Sequence, residues 1–281
     1  MDFAMSDSAS YVCVERAALE LVATKLLQRK GMFAAEAEIV VHRMIEADQS
    51  GRSRDGVGSL PGFLDAMDQG DIDPRARLIT VTDAPAVAVL DGSTGMGHVA
   101  ASRAMLMAVE KAKAGGIGNV IIRNSRPGGD LGTIAALAAS QELIGLVHVS
   151  MDLDSDGNPH SNIAWSVPAA PGRKPLVSRS KRSELSDAMA FLYGALCSGL
   201  AGVEMPPRKR KAVWVANVVE YSVTAISPER FGAADSLLEK WKTPEMVPVA
   251  EPTETPTVPL LLADAERLAG LATKIKLSLS W

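Results

Sequence analysis

Between residues 78 and 150 the chain switches period repeatedly, and this alternation constrains its fold more than any other feature. Leu78 to Thr82 and Ala86 to Leu90 read as strands, Gly95 to Ala114 as a helix and Asn119 to Arg123 as a strand. Leu131 to Gln141 then reads as a helix and Ile144 to Ser150 as a strand, with glycine at most joints. Strands alternating with helices imply an α/β class with a largely covered sheet. Upstream, apolar residues at three- and four-residue intervals from Tyr11 to Gln49, divided by Gly31, predict a pair of amphipathic helices. A third helix is expected from Leu60 to Gln69, opened by Pro61 and closed by Gly70.

Three regions follow: N-terminal helices over 1–76, an α/β core over 77–243, and a proline-rich tail with a closing helix over 244–281. Within the core, 152–182 is polar, rich in Gly, Pro and Ser, and reads as a site loop with one short apolar piece around Ile163 to Val167. Beyond it come a helical run from Leu185 to Leu200, the basic turn Arg208 to Lys211, and strands Val213 to Val219 and Ser222 to Ile226. Pro244 to Pro259 suits an extended segment, and Leu260 to Ile275 a helix. No internal repeat is visible.

A chain of 281 residues with 47% hydrophobic residues can bury a substantial core, and its net charge of -4 argues against a phosphate-backbone binder. Nucleic acid is therefore not an expected partner. The two cysteines, Cys13 and Cys197, form no zinc pattern, and no apolar run approaches the length of a membrane span. No metal, no membrane and a cytoplasmic location are the expectations. Asp152-x-Asp154-x-Asp156-Gly157 copies the start of a calcium loop, but Ile163 stands where its closing glutamate belongs, so an acidic turn is the better reading.

Two glycine-rich joints lie between a strand and a helix. Gly92 to His98 fits no dinucleotide or phosphate-loop fingerprint and reads as tight packing. Asn124 to Asp130 adds polar groups at a strand's carboxyl end, where open α/β sheets bind ligands. Of the four histidines, His42 and His148 read as structural, and His160, in the polar segment beside Ser161 and Asn162, is the most site-like.

An ordered series of short stretches resembles the malate/L-lactate dehydrogenase family, which includes sulfolactate and ureidoglycolate dehydrogenases and cyclic imino-acid reductases. The pieces are Ala47-Asp48-x-x-Gly51, Gly56-Val57-x-x-Leu60-Pro61-x-Phe63, Gly70-x-Ile72-x-Pro74, Leu90-Asp91-Gly92-x-x-Gly95-x-Gly97, Lys111-Ala112-x-x-Gly115 and Asn124-Ser125. They continue with Ile144-Gly145-Leu146, Asn162-Ile163-Ala164 with Pro168, and Ile226 to Phe231. The resemblance implies a non-Rossmann α/β fold, N-terminal helices beside a covered mixed sheet, a homodimer, and NAD or NADP near the subunit interface. It also implies a small-molecule substrate of the 2-oxo or 2-imino carboxylate class.

The same comparison exposes departures at the family's chemistry. Its Ser-His-Gly-Val-x-Arg motif, which supplies a catalytic histidine and a carboxylate-binding arginine, here reads Arg54-Asp55-Gly56-Val57-Gly58-Ser59. Asp55 and Ser59 thus stand in the two functional positions, with Arg54 as a substitute charge. The family's Asn-Ser-x-His-x-Gly loop reads Asn124-Ser125-Arg126-Pro127-Gly128-Gly129, and its His-Lys-Gly motif reads Ser180-Lys181-Arg182. The family's extra length falls between Val177 and Lys181.

The resulting assignments are Asp55, Arg54 and His160 for proton handling and catalysis, Ser59, Arg126 and Asn124 for substrate, and Asn124, Ser125, Asn162 and Lys181 for NAD or NADP. Because the central positions are rewritten, three readings stand: redox catalysis, non-redox catalysis such as isomerisation, cyclisation or elimination in the old pocket with the cofactor lost, and a non-catalytic partner subunit.

Overall fold

The structure, a computed structural model, describes residues 10–153, 159–168, 175–181, 219–231, 247–248 and 256–281. It opens on a strand, β1 (Tyr11–Glu15), followed by helices α1 (Arg16–Arg29) and α2 (Ala34–Gln49). The helical reading therefore began five residues too early. Tyr11-Val-Cys-Val-Glu15 is an alternating, β-branched run, and it pairs antiparallel with a late strand, β10 (Thr257–Leu261), in the register Tyr11 to Leu261. The spacing of Val14 and Ala18 runs on smoothly into α1, which is why local periodicity alone extends the helix.

Two short 3₁₀ turns, Ser53–Asp55 and Val57–Ser59, lead into α3 (Leu60–Asp68), which carries Pro61 in its first turn and ends before Gly70 at φ 74°. The closing helix, α6 (Leu262–Lys274), starts two residues later than expected because Leu260 and Leu261 belong to β10. Val22, Leu26, Val41, Met44, Leu60 and Leu268 lie in one apolar cluster joining the N-terminal helices to α6. Segments distant in sequence thus share a core on which the 53–59 turns are anchored through Val57.

The second layer, among the described residues, is a sheet of eight strands. These are β2 (Ile79–Asp83), β3 (Val87–Asp91), β4 (Ile117–Ser125), β5 (Ile144–Leu153), β6 (Pro159–Val167), β7 (Leu176–Lys181), β8 (Val219–Ile226) and β9 (Val247–Pro248). Their spatial order is β2-β3-β4-β8-β5-β6-β7-β9. β3 and β4 are parallel and joined by α4 (Gly97–Gly115); α5 (Leu131–Ala139) links β4 to β5, but β8 enters between those strands and pairs antiparallel with both. The sheet is mixed, as expected. Its covered face packs Ala101, Ala104, Ala108 and Ala112 of α4 against Val120, Ile122 and Val223.

Small residues let α4 approach closely. A Cβ on Gly118 would overlap the Ala108 carbonyl.

The polar segment 152–182 contains sheet rather than loop over much of its described length. Asp152 and Leu153 end β5, while β6 and β7 pair antiparallel from Asn162 opposite Lys181 to Val167 opposite Leu176. Ile163 and Val167 are buried among polar neighbours, giving a strand that composition masks. His160 accordingly sits in β6, its backbone paired with Met151, and not in a surface loop. The expected helix 185–200 and basic turn 208–211, and all of the expected strand 213–219 except Val219, lie outside the described residues.

Candidate functional site

The turn bearing Arg54 and Asp55 is held from below by α2. Asp48, in the last turn of α2, is 2% exposed, and its Oδ2 accepts the Val57 backbone N–H at 2.8 Å. Its carboxyl lies flat against Gly56: a Cβ there would overlap Oδ1 and Cγ and stand 2.5 Å from Oδ2. Gly56-Val57 is therefore a receptor for a buried carboxyl. Gly58 meets Asp264 of α6 in the same way. On the turn itself Arg54 is exposed, Asp55 stands 3.7 Å from Arg52, and Ser59 Oγ donates to the Gly56 carbonyl at 2.6 Å. Ser59 thus stabilises the turn rather than presenting a charge.

Burial raises Asp48 to about 7, and the nearby Asp264 and Asp55 charges push in the same direction, against the opposing bond from Val57. Near neutrality this is the carboxyl poised to hold a proton. Its folded value exceeds the ordinary carboxylate value, so the folded state binds the extra proton and Asp48 contributes stability that is lost as pH rises from about 4 to about 7. Asp48→Asn retains an oxygen acceptor for Val57 and has no proton to lose. Thermal midpoints across that pH window are expected to fall for the wild type and to fall much less for Asp48→Asn, the variant being the more stable protein at pH 8 by about 1 kcal/mol or more. Equal slopes would contradict this account.

The second wall is the joint between β4 and α5. Asn124 at φ 55° donates through Nδ2 to Asp91 Oδ1 at 3.2 Å, beside an Arg123 ion pair with Asp91. Ser125 is fully buried against Gly92. Arg126, 1% exposed, points inward and donates through Nε to the Asp71 carbonyl at 2.6 Å, while burial lowers its pKa. Asn124, Ser125 and Arg126 lock the scaffold in place. Their assignment to substrate and cofactor came from their place at a strand's carboxyl end, which shows where a residue lies and not which way its side chain turns.

The Gly92 to Gly97 joint is engaged too. Thr94 N–H donates to the Asn124 carbonyl at 2.8 Å, and Arg126 N–H to the Gly95 carbonyl at 3.1 Å. A Cβ on Gly97 would overlap the Arg126 carbonyl oxygen, at 2.5 Å from the Tyr221 hydroxyl and 2.8 Å from Gly128 N. Tyr221 donates to that same Arg126 carbonyl at 3.0 Å, and its full burial raises its pKa. The joint serves tight packing, in line with the reading of its glycines.

The two walls meet at Gly129, whose φ of 71° suits glycine. A Cβ there would lie 3.4 Å from the Asp55 carbonyl and 2.6 Å from His98 Nε2. His98, in the first turn of α4, is fully buried and stands edge-on to Phe63, with ring centroids 5.5 Å apart. Among the described residues neither of its ring nitrogens has a hydrogen-bond partner. The sequence signalled it only by its place after Gly97. The loop and the turn thus adjoin through a seam; two surface clefts among the described residues, one an open groove of about 320 Å³ beside His42 and Leu106, are lined by neither Arg54, Asp55 nor His98.

Asn162 and Lys181 stand opposite one another on adjacent strands, far along the chain from the turn, with His160 two residues before Asn162 on β6. Among the described residues no group of three His, Cys, Asp or Glu side chains is arranged to hold a metal ion, and no helix is long and apolar enough to cross a membrane.

Residues 14–154 match the sequence profile of the malate/L-lactate dehydrogenase family. The chain belongs to this family. The match takes in Asp48, the 53–59 turns, His98 and the 124–130 loop, and ends before His160, Asn162 and Lys181. Among relatives, the L-sulfolactate dehydrogenase of Methanocaldococcus jannaschii is 35% identical over 121 residues, 43% of this chain and 35% of that protein. The malate dehydrogenase of Pyrococcus horikoshii is 32% identical over 137 residues, 49% of this chain and 38% of that protein. The aligned stretch thus spans little more than a third of either relative's length. The fold likeness is wider: the solved malate dehydrogenase from Pyrococcus horikoshii OT3 superposes with a TM-score of 0.71 at 20% identity, covering 97% of each chain. The delta1-piperideine-2-carboxylate reductase from Pseudomonas syringae gives 0.72 at 17%, covering 93% of this chain and 100% of that one.

Proposed function

We propose that this family member is a diverged oxidoreductase of small-molecule metabolism acting on a 2-oxo or 2-imino carboxylate. The observation that carries the reading is the family match through the Asp48, Gly56 and Val57 support of the turn, a scaffold kept while Asp55 and Ser59 replaced the residues above it. Arg54, exposed on that turn, is the cation for the substrate carboxylate. Asp55 is the neighbouring group for a proton, with Asp48 behind it as a carboxyl that ionises near neutrality.

NAD or NADP is the cofactor that the resemblance implies. Asn124 and Ser125 do not fit that role, the one bound to Asp91 and the other buried. Asn162 and Lys181, opposite one another on β6 and β7, are the residues that would hold it. When bound it supplies or accepts the hydride, and this chain's residues bind and orient the carboxylate and move the proton. Titration of the purified protein with NADH and NADPH, read by nucleotide fluorescence, is expected to give saturable binding of one of them. No binding of either favours the second reading, non-redox chemistry in the same site, which the loss of histidine at 55 and 127 supports.

The protein is further proposed to work as a homodimer in the cytoplasm, without nucleic acid or membrane as partner. Light scattering at tens of micromolar is expected to report a particle of twice the chain's 29.6 kDa. A monomer-sized particle would remove that part.

A further inference from the structure

The Gly56-Val57-Gly58 turn has a carboxyl under each glycine, and the two arrive from helices far apart in the chain. Asp48 of α2 lies against Gly56 and Asp264 of α6 against Gly58, while Asp55 sits on the turn itself. The charges that act on Asp48 are those of Asp264 and Asp55, both negative. The nearby cations are engaged elsewhere or point away: Arg52 stands 3.7 Å from Asp55, Arg267 of α6 3.6 Å from Asp65 of α3, and Arg103 of α4 3.1 Å from Glu36, while Arg54 is exposed. β10, which packs against both α2 and the turn, contains no titratable residue, and burial keeps His98 of α4 neutral. Of the Asp48 carboxyl, Oδ2 accepts the Val57 N–H, whereas the buried Oδ1 meets no donor among the described residues.

We propose that Asp48 is a proton-operated latch on the 53–59 turns: protonated, it seats Gly56 and Val57 on α2; ionised, it drives them off and carries Arg54 and Asp55 with them. Gly56 lies directly on the carboxyl, so a charge formed there draws in no water while the turn stays seated. It keeps one bond, from Val57, and faces two like charges. Loss of solvation outweighs that bond, and the group holds its proton up to about 7. Lifting the turn returns the carboxyl to water and to its ordinary range. The share of the lifted state therefore rises about tenfold for each pH unit between about 4 and about 7, then levels off. The latch acts on the turn whatever the substrate is, and its consequence for catalysis rests on the site proposed above.

The test is amide hydrogen exchange of the whole protein from about pH 5 to about pH 8, read by NMR as protection factors so that the intrinsic rate is divided out. Val57 and Ser59 report the turn, their N–H groups bound by Asp48 and by the Gly56 carbonyl, and Val120, buried in β4 between β3 and β8, reports global unfolding. Protection at Val57 and Ser59 is expected to lie below that of Val120 throughout, to fall roughly fifty- to a hundredfold between pH 5 and pH 7, and to stay level above. Asp48→Asn is expected to flatten the profile, and Asp264→Asn, which removes one like charge, to make it level off at a lower pH. Turn amides as protected as Val120, or a wild-type profile without slope, overturn the latch whether or not a variant folds. The same slope in Asp48→Asn overturns Asp48 as its origin. No substrate enters the measurement, so either failure leaves the 2-oxo carboxylate reading untouched.

Discussion

Gly97→Ala is expected to lower the thermal midpoint by about 10 °C, a far larger effect than a single methyl group on a helix surface produces. The added carbon would overlap the Arg126 carbonyl and crowd Gly128 N and the Tyr221 hydroxyl. Two of these three are backbone atoms, fixed by Arg126 N–H on Gly95 and Tyr221 on Arg126, so no side chain can swing aside. Overpacking of this kind costs about 3 kcal/mol, and in a chain of this size each kcal/mol moves the midpoint by roughly 2–4 °C. Gly62→Ala is the control. It lies inside α3 with nothing within 4 Å of the added carbon, and helix propensity predicts a gain of about 0.5–1 kcal/mol. Melting curves showing equal, small changes for both would contradict the close approach of α4 to the 126–128 backbone.

That approach marks the boundary of what could be read from the sequence. The α/β class and its strand and helix order from 78 to 150 follow from period changes, and the structure moves their ends by only a few residues. The insertion of β8 between β4 and β5 was not legible, because strand order depends on contacts across a hundred residues. β6 and β7 were hidden by polar composition, although pairing, not hydrophobicity, defines them. At the site, the glycines at 56, 97 and 129 were visible, but the atoms that need their missing side chains were not. Asp48 stood in a recognised motif, yet its proton affinity comes from burial beneath a turn. For Arg126 the place in a polar loop was legible, while the bond from its guanidinium to the Asp71 carbonyl, 55 residues back in the chain, was not.

Steady-state oxidation of malate, lactate or sulfolactate with NAD or NADP is expected to be about 10²–10⁴-fold slower than a histidine-bearing member of the family achieves. That factor is what a positioned general acid or base contributes. Asp55 stands in histidine's place, and a carboxylate is a poorer match than an imidazole for exchanging a proton near neutrality. Asp48, with its value near 7, is matched in proton affinity but lies beneath Gly56, where it can serve the turn and not the reacting atoms directly. The carboxylate clamp is weakened as well, since Ser59 has its hydroxyl on the Gly56 carbonyl and cannot make the paired charged bonds of arginine. Restoring both positions with Asp55→His and Ser59→Arg is nevertheless expected to recover little. Pro127 still replaces the second histidine, and Asn124 and Ser125 remain tied to Asp91 and Gly92. Robust wild-type turnover on these hydroxy acids would contradict the view that the reacting centre has changed; strong rescue by the double substitution would place the whole change in the 54–59 turn.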